Sequence, residues 1–169
     1  PEYSFRRIFE FLDLNEKDVF YHLGCGDGKG IAIALEEFNV KKAIGIENNK
    51  ENIQQAKKLA KKKNLKNMKL LLEDIRTAEI DDASVVLFWF TDNDIIEIMM
   101  RKFENLQPGS RIVTIWGSLP GCLPGKVDFP YIINTVPFKS GDLKEQLLAI
   151  FGTKCIDFVT AWEYAERYT

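Results

Sequence analysis

Apolar runs alternate with amphipathic stretches along the chain, and this pattern predicts strands alternating with helices. Phe5, Ile8, Phe9 and Leu12 recur at the spacing of one helix face, giving an amino-terminal helix that ends near Asp13. Val19-Phe20-Tyr21-His22-Leu23 is an unbroken apolar run, read as a strand over residues 18–23 that leads into Gly24. A helix over about residues 28–38, a strand over 43–46, a long helix over 50–63 and a strand over 68–72 follow. Next come a strand over 85–90, a helix over 94–105 and a strand over 111–115. Strands that read as continuous apolar runs are buried on both faces, the pattern of a parallel sheet covered by helices. Right-handed crossovers wind such units into a Rossmann-like, doubly wound α/β sheet.

The last third has a different rhythm. Residues 117–130 contain Pro120, Pro124 and Pro130 and read as a loop. Residues 131–138 are strand-like, Lys139-Ser140-Gly141-Asp142 is turn chemistry, and residues 145–151 read as a second strand. This makes an antiparallel hairpin at the edge of a mostly parallel, seven-stranded sheet; the competing reading is a helix over 143–151. After Gly152, the spacing of Phe158, Ala161, Trp162 and Ala165 predicts a closing amphipathic helix. The expected organisation is one domain over 1–169: an amino-terminal helix (1–16), a core (17–115), and an edge hairpin with closing helix (116–169).

Composition narrows the possibilities. At 169 residues, 46% hydrophobic and 28% charged, the chain suits a single globular domain. No apolar run approaches the ~20 residues that span a bilayer, and the amino end does not read as a signal peptide, so a cytoplasmic protein without a membrane partner is expected. One histidine and three scattered cysteines offer neither a zinc-ligand set nor a disulfide framework. The net charge of −2 argues against affinity built on many phosphate contacts. The lysines between Lys57 and Lys69 read first as a solvated helix face.

Candidate chemistry concentrates at strand ends. His22-Leu23-Gly24-Cys25-Gly26-Asp27-Gly28 joins the first strand to the next helix. Gly24 allows a tight turn, and Gly26 and Gly28 allow a ligand to approach the backbone. The helix amino terminus that follows suits an anionic group. A dinucleotide fingerprint would place its third glycine where Lys29 stands; here the spacing is Gly-x-Gly-x-Gly. Glu47, before Asn48, closes the second strand, where a carboxylate accepts hydrogen bonds from both ribose hydroxyls. Asp74-Ile75 closes the third strand, where a carboxylate accepts from an adenine amino group.

These three strand ends, in this order, resemble the motifs of class I S-adenosylmethionine (SAM)-dependent methyltransferases across about residues 17–115. More narrowly, Leu23-Gly24-Cys25-Gly26-Asp27-Gly28 with Gly45-Ile46-Glu47 is similar to the small archaeal protein-lysine methyltransferases, distant relatives of Dot1-like enzymes. The resemblance implies SAM as cofactor, held by His22, Gly24, Cys25, Gly26, Asp27, Gly28, Glu47, Asn48, Asp74, Ile75 and Phe90. It also implies a methyl acceptor that is a protein lysine. In that family an acid usually stands two residues before the first glycine, where this chain has His22. A neutral imidazole there can accept a hydrogen bond, whereas a protonated one would repel the cationic amino group of the cofactor.

The fourth strand end, Phe88-Trp89-Phe90-Thr91-Asp92-Asn93, lacks the Asn/Asp-Pro-Pro-aromatic motif of enzymes acting on adenine or glutamine. Phe90, Thr91, Asp92 and Trp116 are the candidates for the acceptor site. Their aromatic rings suit a narrow channel for an amine. Cys122 reads as a plain loop cysteine. Two alternatives stand beside lysine methylation: RNA methylation, with the lysine cluster as footprint, and a non-catalytic SAM- or nucleotide-binding module.

Overall fold

The protein is described by a computed structural model over residues 2–152 and 166–167. Along the chain lie α1 (Glu2–Phe11), β1 (Val19–Leu23), α2 (Lys29–Glu36), β2 (Lys42–Glu47), α3 (Lys50–Lys62), β3 (Met68–Leu72) and β4 (Val85–Leu87). They are followed by α4 (Asn93–Glu104), β5 (Arg111–Ile115), β6 (Cys122–Leu123), β7 (Lys126–Asp128), β8 (Tyr131–Thr135), β9 (Lys139–Ser140) and α5 (Leu143–Phe151). The main sheet has the order β3-β2-β1-β4-β5-β8-β7. Its first five strands are parallel, β8 runs antiparallel to β5, and β7 antiparallel to β8.

Two apolar clusters sandwich this sheet, which explains the unbroken apolar runs. Phe20, Val85, Leu87 and Val113 face Ile8 and Phe9 of α1, Ile31 of α2 and Ile53 of α3. The alternate residues Tyr21, Val86, Phe88 and Ile112 face Met99 and Phe103 of α4, together with Ile75 and Ile80. Period-two side-chain alternation with both faces buried leaves no polar position to break the run. The chain moves outward from β1 through β2 to β3, then returns to β4 and continues the other way. The strand order therefore switches between β1 and β4, at whose carboxyl ends such sheets form a crevice.

At the opposite end of the strands a polar knot fixes the register. Arg111 donates to both oxygens of buried Asp18 at 2.9 and 3.0 Å, and Ser84 Oγ donates to the same carboxylate at 2.8 Å. This joins β1, β4 and β5 at the end away from the crevice.

The expected antiparallel edge of a seven-stranded sheet is present, but its hairpin is built from different residues. The strand expected over 145–151 is α5. Asp142 caps it by accepting from the Glu145 amide at 2.8 Å, and Asp142-Leu143-Lys144-Glu145 has the acid-x-x-Glu spacing of a helix start. Leu147 turns inward as the buried apolar contact of this helix. The partner of β8 is instead β7, a three-residue edge strand inside the segment read as a loop, flanked by Pro124 and Pro130. Lys139 and Ser140, read as turn residues, pair with Leu123 and Cys122 in a second, two-stranded sheet. β4 stops at Leu87, three residues short of the predicted strand. The closing helix expected after Gly152 falls outside the described residues.

Candidate cofactor turn and acceptor cleft

The glycine-rich turn is set by β1 and β2 together. His22 pairs with Gly45 and Leu23 with Ile46, so the turn emerges beside Glu47. The amides of Gly24 and Cys25 both donate to the Ile46 carbonyl, at 2.7 and 3.1 Å. Gly24, Gly26 and Gly28 have φ of 78°, 55° and 83°, a left-handed geometry that costs glycine nothing. Glu47 then locks the turn: its Oε2 accepts from the Gly26 amide at 2.9 Å, and its Oε1 from the Asn49 amide at 3.3 Å. Two bonds leave about half of a carboxylate's acceptor capacity unused.

The glycines do different work. Nothing stands within 4 Å of where a Gly26 Cβ would be, so the space above it is open for a ligand. A Gly24 Cβ would meet the Phe90 ring at 3.3 Å, which brings Phe90 from the fourth strand end onto the turn. Gly28 does not match its expected role as ligand clearance. Its Cβ would meet Ala56 at 3.0 Å, so it lets α3 approach the start of α2. Cys25 is buried with its Sγ against Gly45, and burial pushes its thiol up to about 12. Its backbone, not its sulfur, belongs to the turn. Asp27 accepts from the Lys29 amide at 3.2 Å and pairs with the Lys29 ammonium at 3.5 Å.

His22 lies beneath the turn, on the face toward α1 and α2. Its ring meets the edge of Phe5 at 5.6 Å, and its Nδ1 has no hydrogen-bond partner. Burial lowers its pKa to about 4, against the opposing influence of Asp27. The imidazole is therefore neutral near neutral pH, and the repulsion that a protonated histidine would bring does not arise.

At the third strand end, Ile75 is buried and Asp74 is already engaged. Arg76 donates to Asp74 through its amide at 2.8 Å and its guanidinium at 2.6 Å. That contact holds the Asp74 carboxyl down at about 2. Asn48 is exposed beside Glu47.

A cleft of about 210 Å3 opens at the ends of β4 and β5. Phe88, Trp89, Phe90 and Thr91 form one side; Thr114, Ile115 and residues 117–120 form the other; Gln146 of α5 reaches in. Phe90, which also touches Gly24, thus borders both turn and cleft. Among the described residues, none that lines it is charged. Two of the four acceptor candidates sit elsewhere. Asp92 caps α4, accepting from the Asp94 and Ile95 amides at 2.9 and 3.2 Å. Trp116, at φ 77°, packs edge-on against Phe129 at 5.7 Å.

The sequence reading missed the residue that shapes this cleft. Asn134 of β8 is 1% exposed. Its Oδ1 accepts from Ser118 Oγ at 3.1 Å and from the Leu119 amide at 3.2 Å, and its Nδ2 donates to the Leu123 carbonyl at 3.0 Å. A lone asparagine within Tyr131-Ile132-Ile133-Asn134 was the available signal.

Residues 22–126, more than half of the chain, match the ANTKMT methyltransferase domain. A protein-lysine N-methyltransferase of Saccharolobus islandicus is 34% identical over 129 residues, covering 75% of this chain and 80% of the relative. An RNA methyltransferase from Salinibacter ruber, solved in complex with S-adenosyl-L-homocysteine, is similar at a TM-score of 0.75 and 26% identity, over 84% of this chain and 95% of that one. A geranyl diphosphate C-methyltransferase from Streptomyces coelicolor shares the fold at a TM-score of 0.59 and 14% identity, over 68% and 46% of the two chains. The matched stretch holds the glycine turn, Glu47, Asp74 and the aromatic fourth strand end. The chain belongs to the ANTKMT methyltransferase family and is a SAM-dependent methyltransferase.

Proposed function

We propose that the chain methylates lysine side chains of proteins. The observation that carries this reading is the cleft beside Phe90: aromatic on one side and, among the described residues, free of charged lining residues and of one placed as a general base. A lysine entering such a cleft is desolvated, which lowers its pKa and favours the neutral amine that can attack. Bound SAM supplies a methyl group already activated on sulfonium. The protein's task is then alignment and exclusion of water. The relative from Saccharolobus islandicus, named as a protein-lysine N-methyltransferase, supports the same acceptor.

In this proposal Glu47 receives the ribose hydroxyls and Gly24 and Gly26 give the methionine portion close access to the backbone. Cys25 and Gly28 hold the turn from behind, with Asp27 and Asn48 at its rim. Asp74 and Ile75 frame the adenine, with Arg76 competing for the Asp74 carboxylate. His22 supports the turn from below in its neutral form. Among the described residues no helix is long and apolar enough to cross a membrane. The cytoplasmic setting belongs to the proposal, with Cys25 and Cys122 as buried free thiols.

RNA methylation is the second reading. It is favoured by the Salinibacter ruber structure and by the exposed Lys57, Lys58, Lys61 and Lys62 on α3. Incubation with methyl-labelled SAM and a cell extract, divided between protease and nuclease, decides between them. Protease-sensitive label that hydrolyses to methyl-lysine is expected; label removed only by nuclease would overturn the proposal.

A further inference from the structure

The acceptor cleft receives a polar side chain from α5. Gln146, on α5, lines the cleft, and its Nε2 donates to the Gly141 carbonyl at 3.0 Å. Its Oε1 takes no hydrogen bond from another described residue. Among the described residues, the amide is thus held through its nitrogen alone. Two other polar groups of the lining are committed to the fold. Thr114 Oγ1 donates to the Gly117 carbonyl at 2.6 Å, and Ser118 Oγ is held by the Cys122 carbonyl and Asn134. Thr91 and Asn93 lie exposed.

We propose that Gln146 Oε1 accepts an N–H of the incoming lysine amine and so aims its lone pair; this rests on the lysine reading above. A neutral primary amine carries two N–H donors and one lone pair, and it rotates freely about its last carbon unless a donor is held. Fixing one N–H converts the attack into an oriented one. In the transfer, the lone pair forms the N–CH3 bond while the C–S bond of SAM breaks and its electron pair stays on sulfur. The resulting ammonium releases its proton to water, and the amide takes none. An amide also suits this task better than a carboxylate, since a carboxylate would stabilise the ammonium form and withhold the lone pair.

Two variants test the assignment, Gln146→Met and Gln146→Glu. Both lose the bond to Gly141, so a difference between them reports on the oxygen in the cleft and not on the anchoring of α5. The substrate is a nuclease-treated protein extract with methyl-labelled SAM, the readout is the initial rate of methyl-lysine formation from pH 6.5 to 10, and S-adenosylhomocysteine binding serves as the control. Gln146→Met should lower the rate about tenfold across the range with unchanged binding, the loss of roughly one hydrogen bond. Gln146→Glu should move the rising limb of the pH profile upward by about one unit or more, because the carboxylate raises the amine's pKa. Matching profiles for parent and Gln146→Glu, or a full rate in Gln146→Met, overturn the role of Gln146 while leaving lysine methylation intact. A parent that forms no methyl-lysine overturns both.

Discussion

The proposed cofactor turn and acceptor cleft lie side by side but are stabilised in different ways. The turn is held by bonds between adjacent strands, Gly24 and Cys25 to Ile46 and Gly26 to Glu47, all within residues 24–47. The cleft draws on residues from 88 to 146, and its far wall rests on the three bonds of Asn134. A turn fixed by strand pairing and left-handed glycines has few ways to vary. A wall held by one buried amide can change shape with a few substitutions.

The largest effect should come from the cleft side. Asn134→Ala removes the side-chain partner of the buried Leu119 amide and of the Leu123 carbonyl, and should cost about 3 kcal/mol in urea unfolding. Methyl transfer should fall further than S-adenosylhomocysteine binding; equal losses would mean that the two regions are not separable. An effect of similar size, on the turn side, depends on pH. The folded-state pKa of His22, about 4, lies below the ordinary 6.5, so the unfolded chain takes up the proton first as pH falls. Stability should drop through the window from about 6.5 to 4, by up to about 3 kcal/mol. His22→Asn should flatten that part of the pH–stability curve, and an unchanged slope would show that other groups carry it.

Next comes packing behind the turn. A Cβ on Gly45 would sit 2.7 Å from Cys25 Sγ and 2.9 Å from Leu70, so Gly45→Ala should destabilise by about 2 kcal/mol. Adding Cys25→Ala should recover part of that loss, since it removes the Sγ while its Cβ at 3.0 Å and Leu70 at 2.9 Å stay; no recovery would place the strain at those two. The smallest effect expected is that of Glu47→Ala on cofactor affinity, a tenfold weakening or about 1.4 kcal/mol by calorimetry. Unchanged affinity in a folded variant would leave Glu47 as a lock for the Gly26 amide alone.

The parallel core was legible because its signals are local. Continuous apolar runs gave β1, β2, β3 and β5 nearly to the residue, and the glycine spacing with Glu47 located the turn. The edge was not, because its strands are short. β7 has three residues between two prolines, and its pairing depends on β8 being present to receive it. α5 was read as a strand because its apolar residues outweighed its capping signal at Asp142 and Glu145. Asp92 and Trp116 were chosen for the acceptor site by position after a strand; in the structure one caps a helix and the other packs on Phe129.

By itself, the sequence determined the parallel sheet, the place of the glycine turn and the acid that closes β2. Each follows from backbone conformation and burial within about one strand–helix–strand unit. Tertiary structure decided which glycine faces open space and which faces Ala56, and that Asn134 and Gln146 complete the cleft. Those outcomes depend on atoms brought together from distant parts of the chain. Spacing along a sequence carries no information about such contacts until the sheet order and the direction of each side chain are fixed.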